Sequence, residues 1–350
     1  MVQSRKSGSR LPKQLKQIPG ELALLSAIRA RAAASAGSAR GRSRVRLGIG
    51  DDCALLRLRP SEELAVTTDL SIEGRHFRLD WHPPESVGHR TLARGLSDLA
   101  AMGATPVAAF LSLGLPRKLT EASGNSHPWV QRFFDGLLAL AAQHSVPLAG
   151  GDLAESPLAI ADIVLAGSVP RGQALLRSGA SPGDLIYVTG SLGGAAAELA
   201  ALEQSPQDFA SATQASKTAP HLYPQPRLAQ GLWLRRHRKA SAAMDLSDGL
   251  STDLARLCAE SGVSAEVDAA ALPLASGTNT AMALHGGEDY ELLFTAPESA
   301  KLPKSIAGVP ITTIGRILRA NPRKPPVSLR TEKGVEALEP QGWGHFSGGK

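Results

Sequence analysis

Apolar positions along the chain follow two rhythms. In "ELALLSAIRARAAA" (21–34), Leu22, Leu25 and Ile28 recur at helical spacing and predict a helix. The same spacing predicts helices over 85–102, with Leu92, Leu96 and Leu99 on one stripe, and over 129–144, 194–203 and 249–260. Short β-branched or continuous apolar runs predict strands at 53–58, 63–69, 107–115 and 160–169. Further strands are expected at "LIYVTG" from 185, then at 263–268, 291–295 and 310–318. The polar, basic stretch 1–20 shows no such pattern and reads as a disordered arm. Residues 204–227 and the Pro/Gly-rich tail 320–350 receive no element, although the tail holds Trp343 and Phe346.

The turn-rich "SGASPGD" (178–184) separates two stretches of similar style. It predicts two domains, 21–170 and 171–350, which suits a chain of 350 residues.

Composition narrows the classes. The chain is 43% hydrophobic and 20% charged, an ordinary globular profile, and no apolar run reaches the 18 or so residues of a membrane span. Its only cysteines, Cys53 and Cys258, form no Cys-x-x-Cys pair, so neither a disulfide scaffold nor a thiolate metal site is expected, and a reducing cytoplasm is. Residues 1–46 carry eleven Lys/Arg against the single acid Glu21, a charge of +10; the remainder therefore carries 6 − 10 = −4. A mildly acidic body offers no basic stripe for nucleic acid.

The candidate chemistry is carboxylate. Asp51 and Asp52 of "GIGDD", Asp69 of "TTD", Asp98 of "LSDLAAMG", Asp152 of "AGGD", and Asp245 and Asp248 of "DLSDG" each end an apolar segment, stand in a Gly/Ser turn, or break an apolar stripe. Each also has a plain structural role open to it: a turn residue, a strand end, or, for Ser247 or Asp248, a helix cap. Asp98 is the exception, because it lies inside a helix beside the leucine stripe. A half-buried acid there needs a partner, either Arg90 or Arg94 or a metal ion. With little thiol or imidazole nearby, an all-oxygen set suits Mg²⁺, which shares its shell with water and substrate phosphates. Gly-rich "GIG", "AGGD" and "TGSLGGA" permit close backbone approach to a phosphate. No P-loop, kinase H-R-D/D-F-G pair or G-x-S-x-G elbow occurs.

Taken jointly, "GIGDDCALL", "TTDLSIEGRHF", "LSDLAAMGATP", "AGGDLAES", "RSGASPGD", "DLSDGLSTDL" and "GGEDYELLF" resemble, in order and spacing from about 45 to 346, the thiamine-monophosphate kinases of the aminoimidazole ribonucleotide synthetase-like superfamily. The resemblance implies an α/β (α+β) fold of two domains, an N-terminal mixed sheet with helices and a C-terminal α/β domain, with the active site in the cleft between them. It implies a homodimer through the N-terminal domain, several Mg²⁺ ions, and ATP as co-substrate for phosphorylation of thiamine monophosphate, with neither nucleic acid nor membrane as partner.

By motif, the resemblance assigns metal to Asp52, Thr68, Asp69, Asp98, Asp152, Asp245 and Asp248, ATP to Gly151, Arg177 and Ser247, and thiamine monophosphate to His76, Glu288 and Trp343. No general base is implied, since a phosphate acceptor is already ionised near neutral pH, its second pKa being about 6. Leu153-Ala154-Glu155 depart from the family's frequent Thr-Thr-Arg, and Gly95 from its frequent Asn. Other enzymes of the superfamily, of the selenophosphate synthetase or amidine-forming ligase type, are the alternatives, along with a silent ATP-binding scaffold. Cys53, inside the kinase-like string, is a poor candidate for the reactive Cys of a selenophosphate synthetase, "SGGK" lacks the terminal Cys of the superfamily's hydrogenase-maturation protein, and the presence of every metal acid argues against a silent scaffold.

Overall fold

The structure, a computed structural model, describes residues 21–35, 44–121, 127–209, 219–323 and 325–342. The expected arm 1–20 and the aromatic pair Trp343 and Phe346 lie outside the described residues. Among those described, no helix is long and apolar enough to cross a membrane.

The first half is built on a four-stranded sheet. Its strands are β3 (Glu62–Ile72), β4 (Thr105–Leu115), β5 (Leu148–Glu155) and β6 (Ile160–Pro170), in the order β3-β6-β4-β5; the short ribbon β1 (Val45–Leu47) and β2 (Leu55–Leu56) precedes them. Only β4 and β5 run parallel. β4 and β6 lie inside the sheet, and their near-continuous apolar sequence reflects that. Helices α1 (Glu21–Ser35), α2 (Pro84–Ala101) and α3 (Trp129–Gln143) complete this half. Pro84 starts α2, where a missing N–H costs nothing. Leu92, Leu96 and Leu99 are buried as their spacing predicts. α2 and α3 touch backbone to backbone: a Cβ at Gly88 would lie 1.9 Å from the Phe133 carbonyl oxygen, and one at Gly136 1.8 Å from that of Glu85.

Every later strand joins a second sheet, in the order β14-β13-β9-β12-β7-β10-β8, with β11 beside β12. Its members are β7 (Leu185–Thr189), β8 (Ala242–Asp245), β9 (Val263–Asp268), β10 (Leu292–Ala296), β11 (Ser305–Ile306), β12 (Val309–Arg319), β13 (Val327–Thr331) and β14 (Gly334–Ala337). Helices α4 (Gly194–Gln204), α5 (Leu228–Arg236), α6 (Leu250–Ser261) and α7 (Thr280–His285) accompany it. Ile186, Val188, Met244 and Leu293 share a core with Leu250, Leu254 and Leu257 of α6. Tyr187, Ala243, Leu292 and Phe294 alternate with them along β7, β8 and β10, and join the core of the first half, with Leu92 and Leu96 of α2 and Leu228 and Leu234 of α5. α5 also meets α2 at close range, since a Cβ at Gly231 would stand 1.9 Å from the Ala100 carbonyl oxygen. One apolar layer therefore joins the two halves, and α2 runs through it.

Several expectations need correction. The strand expected at 53–58 shrinks to Leu55–Leu56, because the Gly-Ile-Gly-Asp-Asp turn precedes it and Pro60 soon follows. The Gly-Gly-Asp segment is not a turn but the start of β5, and its pairing with β4 shifts register between Ala109 and Phe110. Gly151 there has φ +145°, and a Cβ would sit 1.9 Å from the Leu111 carbonyl oxygen, so the glycine serves a tight strand irregularity. The structure adds α5, α7 and β8, none of them expected. It also adds β13 and β14 in the tail, where Pro and Gly punctuate a real hairpin.

Candidate active site

The acidic residues gather where α2 crosses between the two sheets. On β3, odd-numbered residues from 65 to 71 face α2 and even-numbered ones face away. Asp69 therefore meets α2 and pairs with Arg94 at 2.5 Å, while Arg94 Nη1 donates to Ser71 Oγ at 3.2 Å. Asp98 is half-buried as its position on the helix requires, but neither Arg90 nor Arg94 bonds it; Thr67 donates its hydroxyl to Asp98 Oδ2 at 2.5 Å. The hydroxyl that reaches the acids is thus that of Thr67. Thr68 lies on the opposite face and is exposed, so its side chain does not join the acids.

One residue earlier on α2, Ser97 donates to Asp245 Oδ2 at 2.6 Å and so links the two halves. Asp245 ends β8 and is wholly enclosed. Burial raises its pKa, and repulsion from Asp98 adds to the effect against the Ser97 hydrogen bond and the charge of Arg177. Asp98 is raised by burial too, against Thr67, Arg177 and Arg94. Asp69 is pushed up to about 6 by burial, with Arg94 opposing and Asp98 assisting. Arg177 is exposed, yet near enough for its charge to reach both Asp98 and Asp245.

The "DLSDG" segment turns from β8 into α6 around a carboxylate that sequence inspection overlooks. Asp253 Oδ2 accepts the backbone N–H groups of Ser247, Asp248 and Gly249 at 3.1, 3.0 and 3.1 Å. Asp253 is fully buried, and burial pushes its pKa to about 6 despite those bonds. The signal available in the sequence is its place in the first turn of α6, where a carboxylate can collect free N–H groups. Asp248 pairs with Arg256, which also reaches Asp253 Oδ1 at 3.1 Å. The "GGEDYE" segment is bonded onto this loop: Glu288 N–H donates to Ser247 O at 2.8 Å and Tyr290 N–H to Leu246 O at 2.9 Å. Glu288 and Tyr290 hold φ of +66° and +50°, strained for non-glycine residues and characteristic of functional loops.

Glu288 sits at the centre of a second cluster. Arg90 of α2 donates to Glu288 Oε1 at 2.7 Å, to the His76 carbonyl at 3.1 Å and to the His221 carbonyl. His221 Nδ1 stands 3.1 Å from Glu288 Oε2, and its Nε2 lies 3.0 Å from His82 Nε2. His82 Nδ1 in turn accepts the Arg78 N–H at 3.1 Å. Burial would raise the Glu288 pKa, but Arg90 and His221 outweigh it and hold the carboxylate well below its usual range. The same burial, with Arg90 near, depresses both histidines, His82 to about 2. Arg90 thereby links His76, from the first half, to Glu288, from the second; His76 itself accepts the Ile72 N–H through Nδ1 at 3.1 Å.

The remaining candidates lie apart from these clusters. Asp52 is exposed beside Asp51, whose carboxylate accepts its N–H at 3.0 Å. Asp152 is exposed on β5, in a row with Ser112, Asp162 and Leu70, and alternation puts that row on the sheet face opposite Asp69. Trp343 lies outside the described residues; Gly342, just before it, donates its N–H to Thr252 Oγ1 at 3.1 Å at the start of α6.

These donors fit a hard divalent cation. Asp69, Asp98 and Asp245 are oxygen donors of which only Asp69 is paired with a cation; burial pushes each toward its neutral form, and repulsion from Asp98 adds to the effect at Asp69 and Asp245. A metal would relieve that repulsion. Among the described residues, however, no three His, Cys, Asp or Glu side chains converge into a preformed cage. The arrangement suits ions that complete their shells with water and phosphate oxygens.

Comparison with known proteins follows the same division. Residues 50–169 match the family described as AIR synthase related protein, N-terminal domain, and residues 181–321 match its C-terminal domain. The thiamine-monophosphate kinase of Salmonella typhimurium is 42% identical over 285 residues, covering 78% of this chain and 84% of the relative. The crystal structure of thiamine-monophosphate kinase from Stenotrophomonas maltophilia superposes with a TM-score of 0.74 at 40% identity, covering 87% of this chain and 95% of that one. AaThiL complexed with AMPPCP and TMP superposes with a TM-score of 0.70 at 32% identity, covering 96% of this chain and 100% of that one.

The raised acids set a pH dependence. A carboxyl with a pKa of 3.8 when unfolded and about 6 when folded at Asp69 binds more protons in the native state, so metal-free stability falls as pH rises from about 4 through 6. The raised pKa of Asp245 extends that fall to higher pH. The depressed His82 and His221 act in the opposite sense up to about pH 6.5, so the test is the difference between variants: in EDTA, Asp245→Asn should remove the part of the melting-temperature loss that falls above about pH 6. A slope unchanged by the substitution would contradict the assignment.

Proposed function

Because the chain belongs to the thiamine-monophosphate kinase family of AIR synthase-related proteins, we propose that it transfers the γ-phosphoryl group of ATP to thiamine monophosphate, yielding thiamine diphosphate and ADP. The observation that carries this reading is the gathering of Asp69, Asp98 and Asp245 around α2, contributed from both halves, with only Asp69 of the three paired to a cation. Two polyanions must meet for this reaction, and their repulsion is the main obstacle. Phosphoryl transfer needs little covalent help; positioning and electrostatics supply most of the acceleration.

Asp69, Asp98 and Asp245 would hold Mg²⁺ beside α2, with Asp248 on the adjoining loop; the side chains of Asp52, Thr68 and Asp152 stand apart from them and are proposed as further metal contacts on the family motifs alone. Bound there, Mg²⁺ would neutralise the phosphates. Gly151, Arg177 and Ser247 are the proposed ATP contacts. Arg177 is exposed and its charge already reaches Asp98 and Asp245, so it can meet a phosphate beside those acids. His76, Glu288 and Trp343 are the proposed contacts of thiamine monophosphate. Glu288 has its charge matched by Arg90 and stands 3.1 Å from the ring of His221, so it offers hydrogen-bond acceptance more than net charge. The cationic thiazolium then falls to an aromatic face such as Trp343, worth about 1 kcal/mol.

We also propose a homodimer through the first domain. Leu64, Val66 and Leu70 on β3 are 51%, 57% and 46% exposed, and Leu55 of β2 is 56% exposed. An edge strand with an apolar outer row is a liability unless covered, and a second copy of the same face covers it symmetrically.

Two experiments test these readings. Purified protein with ATP, Mg²⁺ and thiamine monophosphate should form thiamine diphosphate, and Asp69→Asn should lower kcat by about 100-fold or more; absence of product from the unaltered chain would overturn the assignment. In sedimentation velocity the protein should run as a dimer and Val66→Asp as a monomer. A dimer that survives Val66→Asp would place the interface elsewhere.

A further inference from the structure

Arg90 and Arg94 stand one turn apart on α2 and face the same cleft, but their donors are used differently. Arg90 is consumed by three oxygens: the carbonyls of His221 and His76 and the carboxylate of Glu288. Arg94 holds Asp69 and Ser71 through its terminal nitrogens, while its Nε–H is buried with no acceptor. A buried donor without a partner is costly, and in a native structure it calls for an explanation. Asp69, Asp98 and Glu288 all lie within electrostatic reach of the buried Arg94 guanidinium. It therefore sits between the acids that would take metal and the Glu288–His76 end that would take the organic substrate.

We propose that Arg94 is a binding residue for the phosphate of the acceptor, the phosphomonoester of thiamine monophosphate. This rests on the function proposed above. A substrate whose organic end meets Glu288 and whose phosphate meets ATP must pass its phosphate across the ground Arg94 occupies. Asp69 cannot serve a metal and keep Arg94 in full at the same time. A guanidinium with an unused Nε–H and a loosened acid partner presents the fork edge that matches phosphate oxygens, whereas both terminal nitrogens of Arg90 are held by three protein oxygens that no metal competes for.

Calorimetric titration of the full chain with thiamine monophosphate and with thiamine separates this role from a structural one. Arg94→Gln should weaken thiamine monophosphate by about 10- to 100-fold and leave thiamine unweakened, since only the former carries the phosphate. Arg94→Lys should recover part of the loss, and circular dichroism melting checks that both variants fold. A preference for thiamine monophosphate over thiamine that survives Arg94→Gln overturns the assignment, as does equal weakening of both ligands, the sign of a structural role. Failure of the unaltered chain to phosphorylate thiamine monophosphate would instead remove the functional reading on which the assignment rests.

Discussion

Burial of like charge along α2 is the constraint to which the rest of the structure answers. The helix must fill an apolar layer between two sheets, and Leu92, Leu96 and Leu99 do so. Its other positions carry Arg90, Arg94, Ser97 and Asp98, which meet Glu288, Asp69, Asp245 and Thr67 respectively. The layer keeps water scarce, so every unmatched charge there is expensive. Thr67, Ser97 and Arg94 offset part of that expense and leave the carboxylates raised toward neutrality. The protein thus holds ready a negative site whose remaining charge a cation must satisfy.

The second sheet supplies this site through two loops that depend on each other. Asp253 shapes the turn that follows Asp245, and the strained Glu288–Tyr290 segment is hydrogen-bonded onto that turn. Arg90 then joins Glu288 to the His76 backbone of the other half. Displacing α2 would disturb the acids and the Glu288 cluster together, which ties the apolar packing to the chemistry.

Much of this was legible in the sequence. Helices with strong periodicity, such as 85–102 and 129–144, form within a residue or two of their expected bounds because burial and local preference agree. The motif strings also led to the family. What escaped was set by tertiary contact. β5 contains Gly150-Gly151, a turn signal that pairing with β4 overrides. The hairpin of β13 and β14 is short and lies among prolines and glycines, and its pairing with β9 gives it a place. At the site, spacing singled out Asp98 but not its partner: no local pattern shows that Thr67 on β3 will reach it, or that Arg94 will choose Asp69. Asp253, His82 and His221 look like unremarkable helix and loop residues until the fold encloses them. Asp52 and Asp152 stand outside the buried group, so the motif set does not collapse into one cage.

The central claim is that these acids are spaced for cations shared with polyphosphate and do not form a site complete in itself. Titration of the protein with Mg²⁺, alone and with AMPPCP present, tests it most directly. Mg²⁺ alone should bind weakly, with affinity increased by about tenfold or more when the nucleotide analogue is bound. Saturable Mg²⁺ binding of equal affinity with and without the analogue would contradict it.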